Sequence, residues 1–168
     1  KRSKNMNEII YDIPEINKNM RAIFYSNKVI LNEATAYHSH NYIEIAFVES
    51  GSGAHKVDKD NFTCSKGDIF LINHSVRHMF VPDKNSELVI VNCVFLPEFF
   101  DYSLTGNKSF QTLSNIYLFR SFFMEEIPVC INLNTTGKDY EKIYNLTNEI
   151  YNEYELKETG FMELIRAY

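Results

Sequence analysis

The stretch HSHNYIEIAFVESG, residues 38–51, decides how this chain is read. It sets two histidines two residues apart, a glutamate four residues after the second, and a glycine where an apolar run ends. Alternate residues of an extended strand point to one face, so His38 and His40 aim their imidazoles into one volume, roughly 7 Å apart at the backbone. Glu44 has the same parity. Four extended residues span about 13 Å, so its carboxylate joins the imidazoles only if the chain bends after His40, and Asn41 is a residue type that tolerates such a bend. Tyr42 and Ala46 share this parity and are expected to line the same interior, with Val48 deeper along it.

A second stretch, GDIFLINHSVRH at residues 67–78, answers the first: a glycine-led turn, an apolar strand Ile69–Ile72, and a polar turn that delivers His78. Three imidazoles and one carboxylate, from His38, His40, Glu44 and His78, are a set that borderline first-row divalent metals accept. The spacing H-x-H-x3-E-x6-G resembles the first cupin motif, and Gly67 with His78 resembles the second, G-x5-P-x-G-x2-H-x3-N. Asn73, Ser75 and Pro82 stand where the second motif has Pro, Gly and Asn, and the first motif's leading Gly is absent. Within cupins, residues 38–78 are similar to the effector-binding domain of AraC-type transcription regulators. That resemblance implies a barrel that takes a small effector, an N-terminal arm able to close over it, and dimerising helices after the barrel.

The rest of the chain supports the same architecture. From Arg21 to Leu96 short apolar strands alternate with turn signals about every ten residues, which indicates an antiparallel sandwich or barrel. Ala22–Tyr25, Val29–Leu31, Tyr42–Glu49, Ala54–Val57, Phe62–Cys64, Ile69–Ile72, Met79–Val81 and Leu88–Leu96 are the expected strands, and a late one covers residues 129–133. Pro97–Tyr102 is expected to be a helical turn, while residues 105–123 fit helix and strand equally. From Thr136 or Gly137 to Lys157 the period changes to helical, and after Gly160 a second amphipathic helix begins at Phe161. The expected fold is therefore mainly β with C-terminal α: a cupin or jelly-roll antiparallel β-barrel followed by two α-helices. Residues 1–21 form an arm, 22–133 the barrel, and 134–168 a helical segment whose stripe Ile143, Leu146, Ile150 and Tyr154 the resemblance assigns to dimerisation.

Composition narrows the function classes. A net charge of −5 argues against this piece gripping a phosphate backbone by itself, and the resemblance implies that DNA is read by a domain outside this chain. Lys1 rather than Met at the start, and a helical pattern running to Tyr168 without a stop signal, lead to the same expectation. The three cysteines, Cys64, Cys93 and Cys130, lack metal spacing and read as reduced thiols of a cytoplasmic protein. No signal peptide or membrane-length apolar run is present.

The four residues His38, His40, Glu44 and His78 could hold a divalent transition metal, hydrogen-bond an organic effector, or satisfy one another inside the barrel. Tyr42 is either core or a ligand-stacking ring. Arg77, beside His78, could pair with an anionic group of an effector or stay on the surface. His55 and His74, among polar or charged neighbours, are expected to be solvated. The function these residues and the resemblance point to is effector sensing and dimerisation, with a small polar metabolite such as a sugar in the barrel. The alternative is a metal-dependent cupin enzyme, an isomerase or dioxygenase.

Overall fold

The computed structural model describes residues 9–12, 15–17, 20, 21, 23–96, 99 and 130–168. The expectations for Pro97–Tyr102 as a helical turn and for residues 105–123 fall outside this set. The strands are β1 (Ile9–Tyr11), β2 (Glu15–Asn17), β3 (Met20–Arg21), β4 (Phe24–Leu31), β5 (His38–His40), β6 (Ile43–Ser50), β7 (Ser52–Val57), β8 (Asp60–Ser65), β9 (Asp68–Ile72), β10 (His78–Pro82), β11 (Leu88–Phe95) and β12 (Cys130–Asn134). Helices α1 (Gly137–Leu156) and α2 (Phe161–Ala167) follow.

Two five-stranded sheets face each other, in the orders β1-β5-β10-β7-β8 and β12-β9-β6-β11-β4. The arrangement is a jelly roll whose sheets, among the described residues, do not close edge to edge into a barrel. All pairings are antiparallel except that of β1, which runs parallel to β5 with Ile9 opposite His38 and Tyr11 opposite His40. Part of the expected N-terminal arm is thus a strand at the edge of the first sheet.

The second sheet is apolar on both faces, because both are covered. Its inner residues Ala46, Val48, Phe70, Ile72, Leu88 and Ile90 join Val57, Cys64, Val76 and Phe80 in one buried cluster. Its outer residues Phe24, Ile43, Cys93 and Phe95 form a second cluster with Phe99, Tyr154 and Ile165. Burial on both faces explains why β6 and β11 read as near-continuous apolar runs. The helices supply the outer cover: the Tyr154 ring meets Phe24 at 5.8 Å and Tyr25 at 5.5 Å, and Tyr140 meets Phe47 at 5.8 Å.

Strand β4 also differs from expectation. Val29–Leu31 and the segment ending at Tyr25 are one continuous strand, β4, because Ser26, Asn27 and Lys28 do not break it. Ser26 Oγ donates to the Asn92 carbonyl at 2.9 Å. On the outer face Lys28 Nζ lies 2.7 Å from Glu49 Oε2 and donates to Asn148 Oδ1 of α1 at 3.1 Å.

The two motif glycines have a steric reason. Gly51 (φ 89°) and Gly67 (φ 92°) sit in left-handed conformations at the β6–β7 and β8–β9 turns. A methyl at Gly51 would run into the Glu87 carbonyl oxygen, and one at Gly67 into that of Thr135. The Gly67 carbonyl also accepts from the Thr135 amide at 2.9 Å, tying that turn to the start of α1. Gly67→Ala is expected to cost about 2–3 kcal/mol in chemical denaturation, since left-handed strain and a backbone clash add.

Candidate ligand-binding site

The chain bends after His40, as the motif required: β5 ends there, Asn41 and Tyr42 form the connection, and β6 starts at Ile43. The bend brings Glu44 back under His40. Glu44 Oε2 lies 3.3 Å from His40 Nε2 and 3.9 Å from His78 Nε2. Ligand atoms of His40, Glu44 and His78 all lie within 4.8 Å of one another, and the three residues are buried. His38 stands beside this group rather than in it. Its Nδ1–H donates to the Ala36 carbonyl at 2.8 Å, and its half-buried ring stacks obliquely 4.4 Å from His78.

Hydrogen bonding fixes how the cluster presents itself. The Tyr42 carbonyl can only accept, so His40 Nδ1, 2.9 Å away, carries a proton and donates. A neutral His40 then turns the lone pair of Nε2 toward the Glu44 carboxylate. Two acceptors at 3.3 Å repel unless a positive charge sits between them, either a proton on His40 or a metal ion. Neither His40 Nε2 nor His78 Nε2 has a hydrogen-bond partner among the described residues. His78 Nδ1 is engaged with His55 Nε2 at 3.0 Å.

His55 therefore overturns its expectation as a solvated side chain. It is fully buried, stacked on Phe80 with ring centroids 4.1 Å apart. Of the charged neighbours that pointed to solvent, Lys56 is on the opposite strand face and Asp58 lies in the turn after β7, whereas Val57, two residues on, shares the His55 face and is buried. Comparing His55 with Val57 rather than with Lys56 would have found it. His74 is only partly covered, its Nδ1 3.2 Å from the Ser75 hydroxyl.

Burial sets the charges. It pushes His78 down to about 3 and His55 down to about 4, so both are neutral near pH 7. For Glu44, burial works upward, but the close imidazole of His40, whose Nε2 lies 3.3 Å away, together with those of His78 and His38, wins and brings it down to about 2. Burial also raises the thiols of Cys64, Cys93 and Cys130 to about 12, 11 and 12, which leaves them unreactive.

A cavity of about 290 Å³ opens on this cluster. Its wall includes His38, Tyr42, Glu44 and His78, with Tyr11 and Asp12 from the arm at one side. Tyr42 lies flat on His40, with ring centroids 4.2 Å apart, and burial raises its phenol well above the usual range. Arg77 does not reach this cavity. Just before β10, its side chain lies over the Tyr37 ring at 4.7 Å, beside a shallow depression with Asp58, Lys59 and Asp60.

Residues 30–124 match the family model of the AraC-like ligand binding domain. The chain belongs to that family. Among solved structures, apo ToxT from Vibrio cholerae is similar at 13% identity and TM-score 0.58, covering 86% of this chain and 52% of its own. A second ToxT crystal form has 12% identity and TM-score 0.51, covering 75% of this chain and 48% of its own. A cupin 2 conserved barrel domain protein from Salinispora arenicola has 17% identity and TM-score 0.44 over 51% of this chain and 74% of that one. This chain thus spans about half the length of the ToxT chains. No curated protein matches it in sequence. No described helix is long and apolar enough to cross a membrane.

Proposed function

We propose that this AraC-like ligand-binding domain is the effector sensor of a cytoplasmic transcription regulator, with a small polar metabolite such as a sugar in its inner cavity. The observation that carries this is the cavity: apolar walls with a few convergent polar groups, Glu44, His38, His78 and Tyr42, are what small-molecule recognition uses. Strand β4 is the route outward. Tyr25, Asn27 and Val29 line the cavity, while Phe24 and Lys28 on the other face hold α1. A ligand that shifts β4 shifts the helix, by no more than its differential affinity for the two states.

The segment 134–168 would serve dimerisation. Tyr154 is buried against its own second sheet and Ile150 packs there too, which leaves half-buried Ile143 and Leu146 of the stripe for a partner. Leu156, Leu164 and Tyr168 add apolar surface at 67%, 47% and 45% exposure. DNA would be contacted by a part of the regulator other than this chain, in keeping with the charge of −5.

Effector at one hundred times its Kd is expected to stabilise the domain by about 2.7 kcal/mol. Differential scanning calorimetry should show that rise in wild type and its loss in His38→Ala and Tyr42→Ala. A cavity that no small molecule stabilises would remove the reading.

A second reading, a metal-dependent cupin enzyme such as an isomerase or dioxygenase, is favoured by one observation: the two buried, partnerless Nε2 atoms of His40 and His78 flanking Glu44. The set fits a divalent transition metal, with His40 Nδ1 held by the Tyr42 carbonyl and His78 Nδ1 by His55 as metal-ligating histidines usually are. Such an ion would supply a Lewis acid able to polarise a substrate oxygen. Elemental mass spectrometry of the purified chain and of a His40→Ala, His78→Ala double variant tests it. Near-stoichiometric metal lost in the variant supports this reading, and metal far below stoichiometry in both removes it.

A further inference from the structure

Adjacent residues of a strand point to opposite sides of its sheet. Phe24 belongs to the outer face of β4 and Tyr25 to the inner face, yet Tyr154 of α1 meets both rings, at 5.8 Å and 5.5 Å between centroids. One helical side chain can reach both faces where a sheet ends. Among the described residues β4 is the last strand of the second sheet, so the Tyr154 end of α1 sits over that edge rather than over the middle of the outer face.

The inner cavity and the helices therefore share a side chain. Tyr25 lines the cavity together with Tyr42 and Val94, and Val94 is its partner across the β4–β11 ladder. On the cavity side Tyr25 packs against the buried cluster of Tyr42, Val94 and Leu96. On the helix side it packs against the separate cluster that holds Phe24, Tyr154 and Ile165. Ile23 touches both clusters as well, but of the two residues Tyr25 is the one that borders the cavity. A run of rings results: His40 stacked on Tyr42 at 4.2 Å, Tyr25 against the Tyr42 cluster, Tyr154 edge-on to Tyr25, and Phe161 of α2 6.3 Å from Tyr154. A close-packed interior passes a displacement on to its neighbours. A tyrosine ring also has a few discrete rotamers, so a molecule packed against it either holds the present one or drives it to another. The first keeps Tyr154 and both helices seated, and the second unseats them.

Resting on the effector reading above, we infer that Tyr25 is the side chain through which occupancy of the cavity controls how α1 and α2 sit on the sheet. The strand itself need not shift, because one ring touches both sides.

The test couples the two sides by substitution alone. Val94→Ala shortens the residue opposite Tyr25 on the cavity side, and Tyr154→Leu changes the helix side. Urea unfolding of wild type, the two single variants and the double variant forms a cycle. Sites that do not communicate multiply their effects on the unfolding constant to within about two-fold. Here the double variant is expected to depart from that product by about three-fold or more. The departure should vanish when the cycle is repeated in Tyr25→Ala or, should that variant not fold, in Tyr25→Leu. Hydrogen exchange of residues 150–167 gives a local reading, because helix ends open at less than the global unfolding free energy. Val94→Ala should quicken it by about three-fold or more. Ile90→Val, on the same strand and the same cavity wall but in the other inner cluster, should leave it within about two-fold of wild type. The inference is overturned by an additive cycle, by coupling that survives the loss of the Tyr25 ring, or by helix exchange that responds equally to Val94→Ala and Ile90→Val. Each of those results leaves the effector reading standing. Failure of every small molecule to stabilise the domain would remove both, whatever the cycle shows.

Discussion

Acidifying the metal-free domain from pH 7 to pH 4 is expected to remove on the order of 5 kcal/mol of folding stability. The groups responsible are His78 and His55, held at about 3 and about 4 against an ordinary 6.5 because both are buried. Between the unfolded and folded values the unfolded chain binds protons that the folded chain refuses. Stability therefore falls as pH drops below about 6.5 and is largely spent by pH 3–4. Glu44 moves the other way on the scale but with the same consequence. Its depressed value of about 2 gives stability that is present above 4.5 and lost as pH falls from there toward 2. The charged or titratable groups facing the two histidines are Glu44, His38 and His40, together with each other. Against a typical total of 5–15 kcal/mol this loss is large. Urea midpoints at pH 7, 5.5 and 4 measure it, and His55→Phe, a ring-for-ring change between Phe70 and Phe80, should flatten the slope. A midpoint that does not move between pH 7 and pH 5 would show that these histidines are not buried neutral.

Tyr154→Ala should destabilise the domain by about 3–5 kcal/mol, as truncation of a buried aromatic does. The ring is 5% exposed and contacts Phe24, Tyr25 and Phe161, so its removal hollows the joint between the sheet and both helices. Tyr154→Phe keeps the ring and should cost less than about 1 kcal/mol. Equilibrium denaturation of the two variants separates a packing role from a hydroxyl role. An alanine variant within about 1 kcal/mol of wild type would mean that α1 is held by other contacts.

Much of this molecule is legible in residues 38–78. The H-x-H-x3-E spacing placed His40 and Glu44 together because strand parity and the bend near Asn41 are local properties, and the glycines at 51 and 67 marked turns that need positive φ. What was not legible came from reading polarity one residue at a time. His55 lay hidden between exposed neighbours, and Ser26-Asn27-Lys28 looked like a break in a strand. Each of those three faces something only the fold supplies: Ser26 the Asn92 carbonyl, Asn27 the cavity, Lys28 the Glu49 carboxylate. Of the two readings left open for Arg77, the surface one fits its place over the Tyr37 ring. The helical stripe was found by its period, but period alone cannot divide Tyr154, spent on the chain's own sheet, from Ile143 and Leu146.

The most direct measurement is the crystal structure of the domain with the tightest-binding compound from a panel of small polar metabolites. The expected result is density on the inner face of the second sheet, within hydrogen-bond reach of Glu44 or His78. Density on the outer face against α1, or in the depression beside Tyr37 and Arg77, would contradict it.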